Sequence, residues 1–167
     1  MIRANKHLPE SPRGITLLVA VIVSTVTLSV AFALLDIAYK QQLLSSAAKQ
    51  SQFAFYNADS AMECALYYDQ KQNAFDYSSP KAGSSLICNT KAVLNWKSPP
   101  PVGGIRTTSF DITCAGTDIK GKVIVLKTDG TAVCGENNSH TCIYTTGYST
   151  CNVNDPRRIE RGLNVYY

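Results

Sequence analysis

The sequence lacks helix-breaking residues over an unusually long stretch. No glycine or proline occurs between Ile15 and Ser79. Because these two residue types are the strongest helix breakers, nothing in this stretch obliges a helix to end. Charge is also missing from Ile15 to Leu35, a run of 21 residues. At ~1.5 Å of rise per residue this run spans roughly 31 Å, the hydrocarbon thickness of a bilayer. We therefore predict a helix that can cross a membrane once.

The sequence also lacks the patterns of an active site. Its two histidines are His7, in the basic leader, and His140, in the polar segment GENNSHTC. No GxSxG motif is present. Asp118 and Asp129 are candidates for a calcium loop, but turn formation is the favoured interpretation because no repeated acid spacing accompanies them. We expect no enzyme activity, no catalytic residue, no metal site and no cofactor.

Basic character is concentrated at the N-terminus. Residues 1–14 contain three basic residues and one acid, which leaves +2 of the net charge of +4 for the rest of the chain. No run of lysine or arginine interleaved with aromatic residues is present, so we expect no nucleic-acid partner. The positive-inside rule predicts that Arg3, Lys6 and Arg13 keep the leader cytoplasmic and that the chain beyond Asp36 is exported.

All six cysteines lie on the exported side of the apolar run. An even number of cysteines in an exported region is typical of disulfides, and fifteen pairings are possible. No CxxC spacing indicates a zinc site. Each bridge is expected to stabilise a small domain by about 2 to 4 kcal/mol. The candidates are Cys64, Cys88, Cys114, Cys134, Cys142 and Cys151.

Beyond Asp36 the helical pattern becomes amphipathic. Small or apolar residues recur every three or four positions, which predicts one buried helical face. We predict an amphipathic continuation over residues 39–77, after a leader over 1–14 and a membrane or assembly helix over 15–38. The residues of this small-residue stripe are Leu44, Ala47, Ser51, Ala54, Ala58, Ala61 and Ala65.

Residues 78–167 change to short β-rich runs separated by glycine, proline and serine. We predict an α+β fold: a long N-terminal helix, membrane-spanning in its first half, packed on a small antiparallel sheet and stabilised by disulfides. Asp129-Gly130 predicts a tight hairpin turn, and Cys64 is placed to join the helix to the sheet. The predicted strands are 85–88, 109–114, 122–127, 131–134, 142–146 and 162–167.

The N-terminal residues resemble those of the type IV pilin superfamily. A short basic leader ends in Gly14, and Ile15, Thr16, Leu17 and Leu18 open an apolar helix that becomes amphipathic. The resemblance implies that a prepilin peptidase cuts after Gly14 and that Ile15 is then N-methylated. The segments NADSAMECALYY and RRIERGLNVYY are also similar to minor pilins. By the same resemblance, a disulfide among Cys134, Cys142 and Cys151 closes a C-terminal loop.

One position departs from the pilin pattern. Most pilins carry glutamate four residues after the new N-terminus, where this sequence has Val19. In that family the carboxylate pairs with the free amine of a neighbouring subunit. Valine therefore fits a subunit at the tip or one that initiates assembly, and it fits a plain membrane anchor as well. Asp36, the first acid after the apolar run, is expected in headgroups or water.

Surface aromatic and arginine residues are the remaining candidates for a binding role. Tyrosines in a small sheet usually pack across strands, and this is the prediction for the aromatic set. Arg157, Arg158 and Arg161 are expected to form a solvated face or to pair with Glu160 and Asp155. The aromatic set is Trp96, Tyr144, Tyr148, Tyr166 and Tyr167.

The resemblance implies a structural protein. It would be a minor pilin or pseudopilin of a type IV pilus or related secretion fibre, first held in the inner membrane and then displayed in an extracellular or periplasmic fibre. Its expected partners are other pilin subunits, the prepilin peptidase, the inner-membrane assembly machinery and, before assembly, membrane lipid. The alternative is an uncleaved single-pass protein that displays an extracellular binding module.

Overall fold

The computed structural model describes residues 13–114, 118–135 and 138–167. Most of the predicted leader, residues 1–12, lies outside this range. The chain divides into two compact units, Met1–Ser45 and Ser46–Tyr167, and each is described by itself. One 60-residue helix, α1 (Arg13–Gln72), contributes residues to both.

In the first unit, the described part of α1 exposes every side chain from Ile15 onward. The helix is long and apolar enough to cross a membrane once, judged by length and composition. This agrees with the prediction of a single spanning segment at the level of length and composition. The predicted boundary at residue 38 and the orientation across a membrane stay predictions.

In the second unit, α1 ends at Gln72, five residues before the predicted end. Asn73 has a left-handed φ of 46°, a conformation that asparagine tolerates better than most residues. The amide of Ala74 then donates to the carbonyl of Tyr68 at 3.0 Å. The amide of Asn73 also donates to the carbonyl of Asp69 at 3.1 Å. This bond forms a left-handed αL C-cap, which turns the chain away from the helix axis before the apolar Ala74 and Phe75.

The second unit confirms the α+β prediction. A 3-10 turn (Gly83–Ser85) precedes a two-stranded ribbon of β1 (Ile87–Cys88) and β2 (Lys91–Ala92). A five-stranded antiparallel sheet follows, and its strands lie side by side in chain order. They are β3 (Leu94–Lys97), β4 (Ile105–Thr113), β5 (Ile119–Thr128), β6 (Thr141–Tyr148) and β7 (Glu160–Tyr166).

The predicted tight hairpin at Asp129-Gly130 is wrong. β5 pairs with β6, and the segment 131–134 forms turns and coil rather than a strand. The reason is local: Asp129 Oδ1 accepts hydrogen bonds from the amides of Thr131 and Ala132 at 2.8 and 3.1 Å. These bonds fold the chain into an Asx-type turn in place of a second strand. The short strands β2 and β3 were not predicted.

The amphipathic face of α1 meets the sheet through its smallest residues. Ala54, Ala58, Ala61 and Ala65 are each 0% exposed, as the small-residue stripe predicted. Farther back, Leu44 and Ala47 of the same stripe are exposed. The alanines lie over a core that includes Phe75, Leu86, Phe110, Val123, Val125 and Ile143.

One glycine of the sheet, Gly147, allows the helix to approach this closely, whereas a Cβ on its partner Gly121 would make an ordinary 3.5 Å contact with Ala61. Gly121 of β5 and Gly147 of β6 are direct register partners. A Cβ on Gly147 would lie 2.1 Å from the amide nitrogen of Ala58 and 2.2 Å from the carbonyl oxygen of Ala54. Helix and sheet backbones are therefore in contact here, and only glycine fits between them.

Two hydrogen bonds also hold α1 against β6. The side-chain amide of Asn57 donates to the carbonyl of Tyr148 at 2.6 Å. The buried hydroxyl of Thr145 donates to the carbonyl of Ala58 at 3.1 Å. Both bonds join α1 to β6, so they fix where the helix lies along the strand as well as how near it is.

All six cysteines form disulfides, as predicted. Cys64–Cys88 joins α1 to β1, so the expected tie from the helix reaches the two-stranded ribbon. Cys114–Cys151 joins the end of β4 to the segment between β6 and β7. Cys134–Cys142 closes the connection that leads into β6. The closed C-terminal loop suggested by the pilin resemblance has a counterpart in this last bridge.

Candidate functional site

The candidate processing and assembly residues lie in the first turns of α1. Ile15, Leu17 and Leu18 are 69%, 69% and 58% exposed, and Val19 is 50% exposed. Thr16 lies among them, and Gly14 precedes them in the same helix. The structure thus places all the residues of this motif in one helical segment. Cleavage after Gly14 and methylation of Ile15 stay predictions.

Hydroxyl groups in the apolar segment are satisfied by the helix itself. Ser24, Thr25 and Ser29 each donate to the carbonyl three residues earlier, at 2.9 to 3.2 Å. Thr27 lies 3.0 Å from the carbonyls of both Val23 and Ser24. A helix can therefore carry these hydroxyls into an apolar phase without leaving their protons unpaired.

Asp36 forms an ion pair on the helix surface. Its carboxylate lies 2.7 Å from the Lys40 ammonium, one helical turn later, and both side chains are more than 60% exposed. Such a pair stabilises a helix only slightly. The position of Asp36 in headgroups or water stays a prediction.

A buried polar cluster in the second unit was not predicted. Asp69, near the end of α1, is only 3% exposed. Its Oδ2 accepts from the Lys127 ammonium at 2.8 Å and from the Tyr167 hydroxyl at 2.6 Å. Lys127 also donates to the Thr141 hydroxyl at 2.8 Å. One carboxylate therefore joins α1, β5 and the residue that follows β7.

The Tyr167 hydroxyl is a donor in this cluster. Burial first, and then the adjacent Asp69 carboxylate, raise the pKa of Tyr167. Tyr167 therefore stays protonated and acts as the donor to Asp69. The cluster escaped prediction because its members are 58 and 98 positions apart in the chain. The only available signal was an acid inside an otherwise apolar helical pattern.

A polar cleft adjoins this cluster. It has a volume of about 270 Å³ and is open to solvent. Asp69 and Lys127 belong to its wall, and the other lining residues come from the segment after α1 and from β5 and β6. They are Asn73, Asp76, Tyr77, Thr128, His140 and Thr141.

The aromatic residues mostly pack, as predicted. Trp96 stacks with Phe75 and Phe110 at ring-centre distances of 5.9 and 5.8 Å. Tyr144 and Tyr166, on neighbouring strands, meet edge to face at 5.8 Å. These contacts account for the half-buried aromatic residues without an adhesive patch.

The arginine cluster forms the predicted solvated face in part, because Arg157 and Arg161 are exposed while Arg158 is half-buried. Arg158 lies over the ring of Tyr148, with 3.7 Å between its guanidinium carbon and the ring centre. Arg161 donates to the hydroxyl of Ser51 at 2.8 Å. Within the described C-terminal residues 138–167, none of the three arginines forms an ion pair with Glu160 or Asp155. Stacking on an aromatic ring and hydrogen bonding replace the expected pairing.

Asp129 and His140 have local roles. Hydrogen bonds from Thr131 and Ala132 lower the pKa of Asp129 to about 2, which supports turn formation over a calcium loop. His140 Nδ1 lies 3.0 Å from the Thr128 hydroxyl. Over the part of the chain that the structure describes, no three His, Cys, Asp or Glu residues are grouped so as to hold a metal ion.

Comparison with known proteins identified no relative of this chain. No family model, no curated protein and no solved structure matches this chain. The geometry alone supports a coarser statement: a long apolar N-terminal helix whose later part packs on an antiparallel sheet is consistent with a pilin-like architecture.

Proposed function

We propose that this protein is a minor subunit of a type IV pilus or a related secretion fibre. The observation that carries the proposal is the contrast along α1. In its first part, 14 large apolar residues between Ile15 and Ile37 are about half exposed or more. In its second part, the four alanines of the small-residue stripe from residue 54 onward are buried against a sheet of the same chain.

The exposed apolar surface requires an apolar environment outside the chain. Burying one such side chain stabilises by roughly 1.5 to 3 kcal/mol, so the whole set represents tens of kcal/mol. A bilayer supplies this burial before assembly, and a bundle of sister helices supplies it afterwards. Because lipid tails and apolar side chains are similar solvents, transfer between the two is nearly neutral in hydrophobic energy. The hydrophobic free energy of such a segment therefore changes little between membrane and fibre.

The sequence at the start of the helix supports processing. Gly14 is the last residue of the basic leader, and Ile15 opens the exposed apolar segment. A prepilin peptidase that cuts after Gly14 would remove three basic residues and one acid. This leaves an apolar N-terminus with a single free amine, the form that a helical bundle can accept.

The position of this subunit in the fibre is proposed from Val19. A shaft subunit needs a carboxylate here to meet the amine of its neighbour, and valine provides none. A subunit at the tip has no such neighbour, so the loss has no cost there. We therefore place the protein at the tip or in the initiating complex.

A second candidate function is also favoured by Val19. An uncleaved chain would use the same apolar segment as a permanent anchor and display the disulfide-stabilised unit as a binding module. The two functions differ in one covalent property, the N-terminus of the protein in its native membrane.

The test is the intact mass and N-terminal peptide of the protein purified from native membranes. Under our proposal the chain starts at N-methylated Ile15, and a Gly14→Val variant keeps residues 1–14 and is absent from fibres. Arg13→Lys, one residue earlier and equal in charge, is the matched control and should be processed normally. A wild-type chain that retains its leader and copurifies with no pilin would replace the fibre proposal by the binding-module function.

A further inference from the structure

The outer edge of β7 is an open edge of the five-stranded sheet. Because the strands lie side by side in chain order, β3 and β7 are the two edge strands, and among the described residues no further strand pairs with β7. An edge strand carries a row of backbone N–H and C=O groups that can bind another extended chain.

The hydrogen bonds to β6 show which backbone groups face outward. Tyr167, which follows β7, exchanges two backbone bonds with Thr141, at 2.7 and 2.9 Å. In an antiparallel pair such bonded residues alternate with residues whose backbone groups point away. Counting back from Tyr167 along the register with β6, the outward residues of β7 are Glu160, Gly162, Asn164 and Tyr166.

The two edges of the sheet differ in their protection against pairing. β3 has four residues, a register irregularity against β4 and a left-handed φ of 52° at Asn95, and prolines follow it at 99–101. Short length, irregularity and proline all prevent an edge from pairing. β7 has seven residues in unbroken register with β6 and contains neither proline nor lysine. Of the two edges, β7 is therefore the one that can accept a strand.

The side chains beside this edge favour a particular kind of strand. Leu163 and Val165 are half-buried and pack against the core beneath α1. Phe55, which is 46% exposed, lies one helical turn after Ser51, the residue that accepts from Arg161. An incoming strand would therefore meet apolar surface on its helix side and the positive charge of Arg161 near the start of β7.

A second copy of this chain does not fit the edge. The contacts from Ser51 to Arg161 and from Asp69 to Tyr167 show that β7 runs in the same direction as α1. β3 runs the same way, because three antiparallel strands separate it from β7. Antiparallel pairing with either edge of a second copy would reverse the direction of its α1. Both functions proposed above require all copies to enter the membrane in one orientation.

We propose that the outer edge of β7 binds an extended segment of another protein, which joins the sheet as an antiparallel strand. The backbone of this segment pairs with the outward residues of β7. Its apolar side chains lie beside Leu163 and Val165, and an acidic side chain lies opposite Arg161. The inference holds for a fibre subunit and for an anchored binding module alike, since β7 lies in the second unit.

The probe for this edge is the peptide acetyl-TVTVTEK-amide. In antiparallel alignment with β7, its two valines lie opposite Val165 and Leu163. Its glutamate then lies opposite Arg161, and its lysine lies opposite Glu160. The remaining threonines favour an extended chain.

Amide hydrogen exchange of the full chain in a non-ionic detergent, followed by NMR, is the direct test. We expect the probe to slow exchange saturably and at least tenfold at Gly162, Asn164 and Tyr166, whose amides face outward. Leu163 and Val165, already bonded to β6, should change less. Absence of saturable protection at the three outward amides would overturn the proposal.

Methylation of the probe backbone separates strand addition from other modes of binding. In the same alignment, the amides of the third and fifth peptide residues point at β7, and those of the second and fourth point away. N-methylation at the third and fifth positions should weaken binding at least tenfold. The matched control, N-methylated at the second and fourth positions, should bind nearly as well as the parent peptide. Equal losses from the two would exclude pairing through the backbone.

A charge exchange tests the alignment. The peptide acetyl-TVTVTEE-amide places a glutamate opposite Glu160. We expect the wild-type chain to bind the lysine probe severalfold more tightly, and the Glu160→Lys variant to prefer the glutamate probe. Asp118→Lys makes the same charge change at an exposed acid before β5, two strands away, and should keep the wild-type preference. If Glu160→Lys also keeps it, the proposal fails.

The mass of the chain in detergent tests the second copy as occupant. We expect light scattering to give a monomer, with or without the probe. A dimer that acetyl-TVTVTEK-amide dissociates would assign the edge to a second copy and overturn the proposal of a different protein.

Discussion

The two parts of α1 reverse the usual relation between hydrophobicity and burial. In the first unit, leucine, isoleucine, valine and phenylalanine are exposed. In the second unit, the buried face of the helix is built mainly from alanine, with Ala54 to Ala65 at 0% exposure. The difference shows that a buried helical face can serve either of two purposes. Small side chains let the helix backbone come close to the sheet, and large side chains remove more apolar surface from water. The large side chains of the first part are not buried by the chain itself, so their burial requires an apolar environment outside it.

The largest loss of stability is expected at the contact between α1 and β6. Gly147→Ala places a Cβ 2.1 Å from the Ala58 backbone nitrogen, so helix and strand must separate. We expect the free energy of unfolding of the second unit to fall by about 4 to 5 kcal/mol. The measurement is denaturant unfolding followed by fluorescence of Trp96, the single tryptophan, which lies in this unit.

Gly162→Ala is the matched control for this change. Gly162 is also a strand glycine, but its added Cβ would find only the Thr145 carbonyl oxygen, at 3.6 Å. We expect a change within about 0.5 kcal/mol. A similar loss in both variants would show that the glycines act through strand propensity rather than through the close approach of α1.

The disulfides provide a further test of the second unit, because all three lie in it. Replacing Cys114 and Cys151 by serine removes a closure of 37 residues and should cost about 4 kcal/mol. The same change at Cys134 and Cys142, separated by 8 residues, should cost about 2.5 kcal/mol. Trp96 fluorescence during unfolding reports both values. The reverse order would mean that local packing, rather than chain entropy, dominates these bridges.

A pair of leucines compares the two units directly. Leu86 is 0% exposed, and Leu28 is 57% exposed. Leu86→Ala should lower the unfolding free energy of the second unit by about 3 kcal/mol, whereas Leu28→Ala should leave it unchanged. Leu28→Ala should instead reduce partitioning of the chain into vesicles. An equal loss of unfolding free energy in the two variants would show that the units do not differ as described.

The Asp129 turn gives a smaller, pH-dependent effect. Its pKa is lowered to about 2 from an ordinary 3.8, so the ionised form is favoured in the folded chain. The resulting stability is fully present above about pH 4 and is lost as the pH falls through 2. Carboxyl-carbon NMR of Asp129 should give a midpoint near 2. A midpoint near 3.8 would show that the turn does not hold the charged form.

The smallest effect is expected at the ion pair of the first unit. Asp36→Asn removes the contact with Lys40, and both side chains are largely exposed. We expect a change in helix content too small to resolve by circular dichroism in micelles, since such pairs contribute about 0.3 to 0.5 kcal/mol. A clear loss of helix would indicate that Asp36 has a further partner.

The sequence allowed the α+β fold and the use of all six cysteines to be predicted, because both depend on local pattern and count. The alanine stripe was readable from its three- and four-residue spacing. The role of Gly147 was not, since it depends on this strand lying directly beneath the helix. The pairing of the cysteines depends on the same long-range geometry.

The wrong and missing predictions have two kinds of cause: features of a few neighbouring residues, and contacts between segments that are distant in the sequence. The strand predicted at 131–134 was lost to side-chain capping by Asp129, a competition that an Asp-Gly pair does not reveal. β2 and β3 have two and four residues, too few to show a strand period. The cluster of Asp69, Lys127 and Tyr167 required contacts between segments that no sequence pattern links.

The order of the sheet has a consequence for folding during synthesis. Every strand from β4 to β7 pairs with the strand made immediately before it, so the sheet can grow as the chain is synthesised, with little loop-closure entropy at each step. The hydrogen bonds between α1 and the sheet region are different: Ser51 to Arg161 spans 110 positions and Asp69 to Tyr167 spans 98. These two contacts can form only after the last strand has been made.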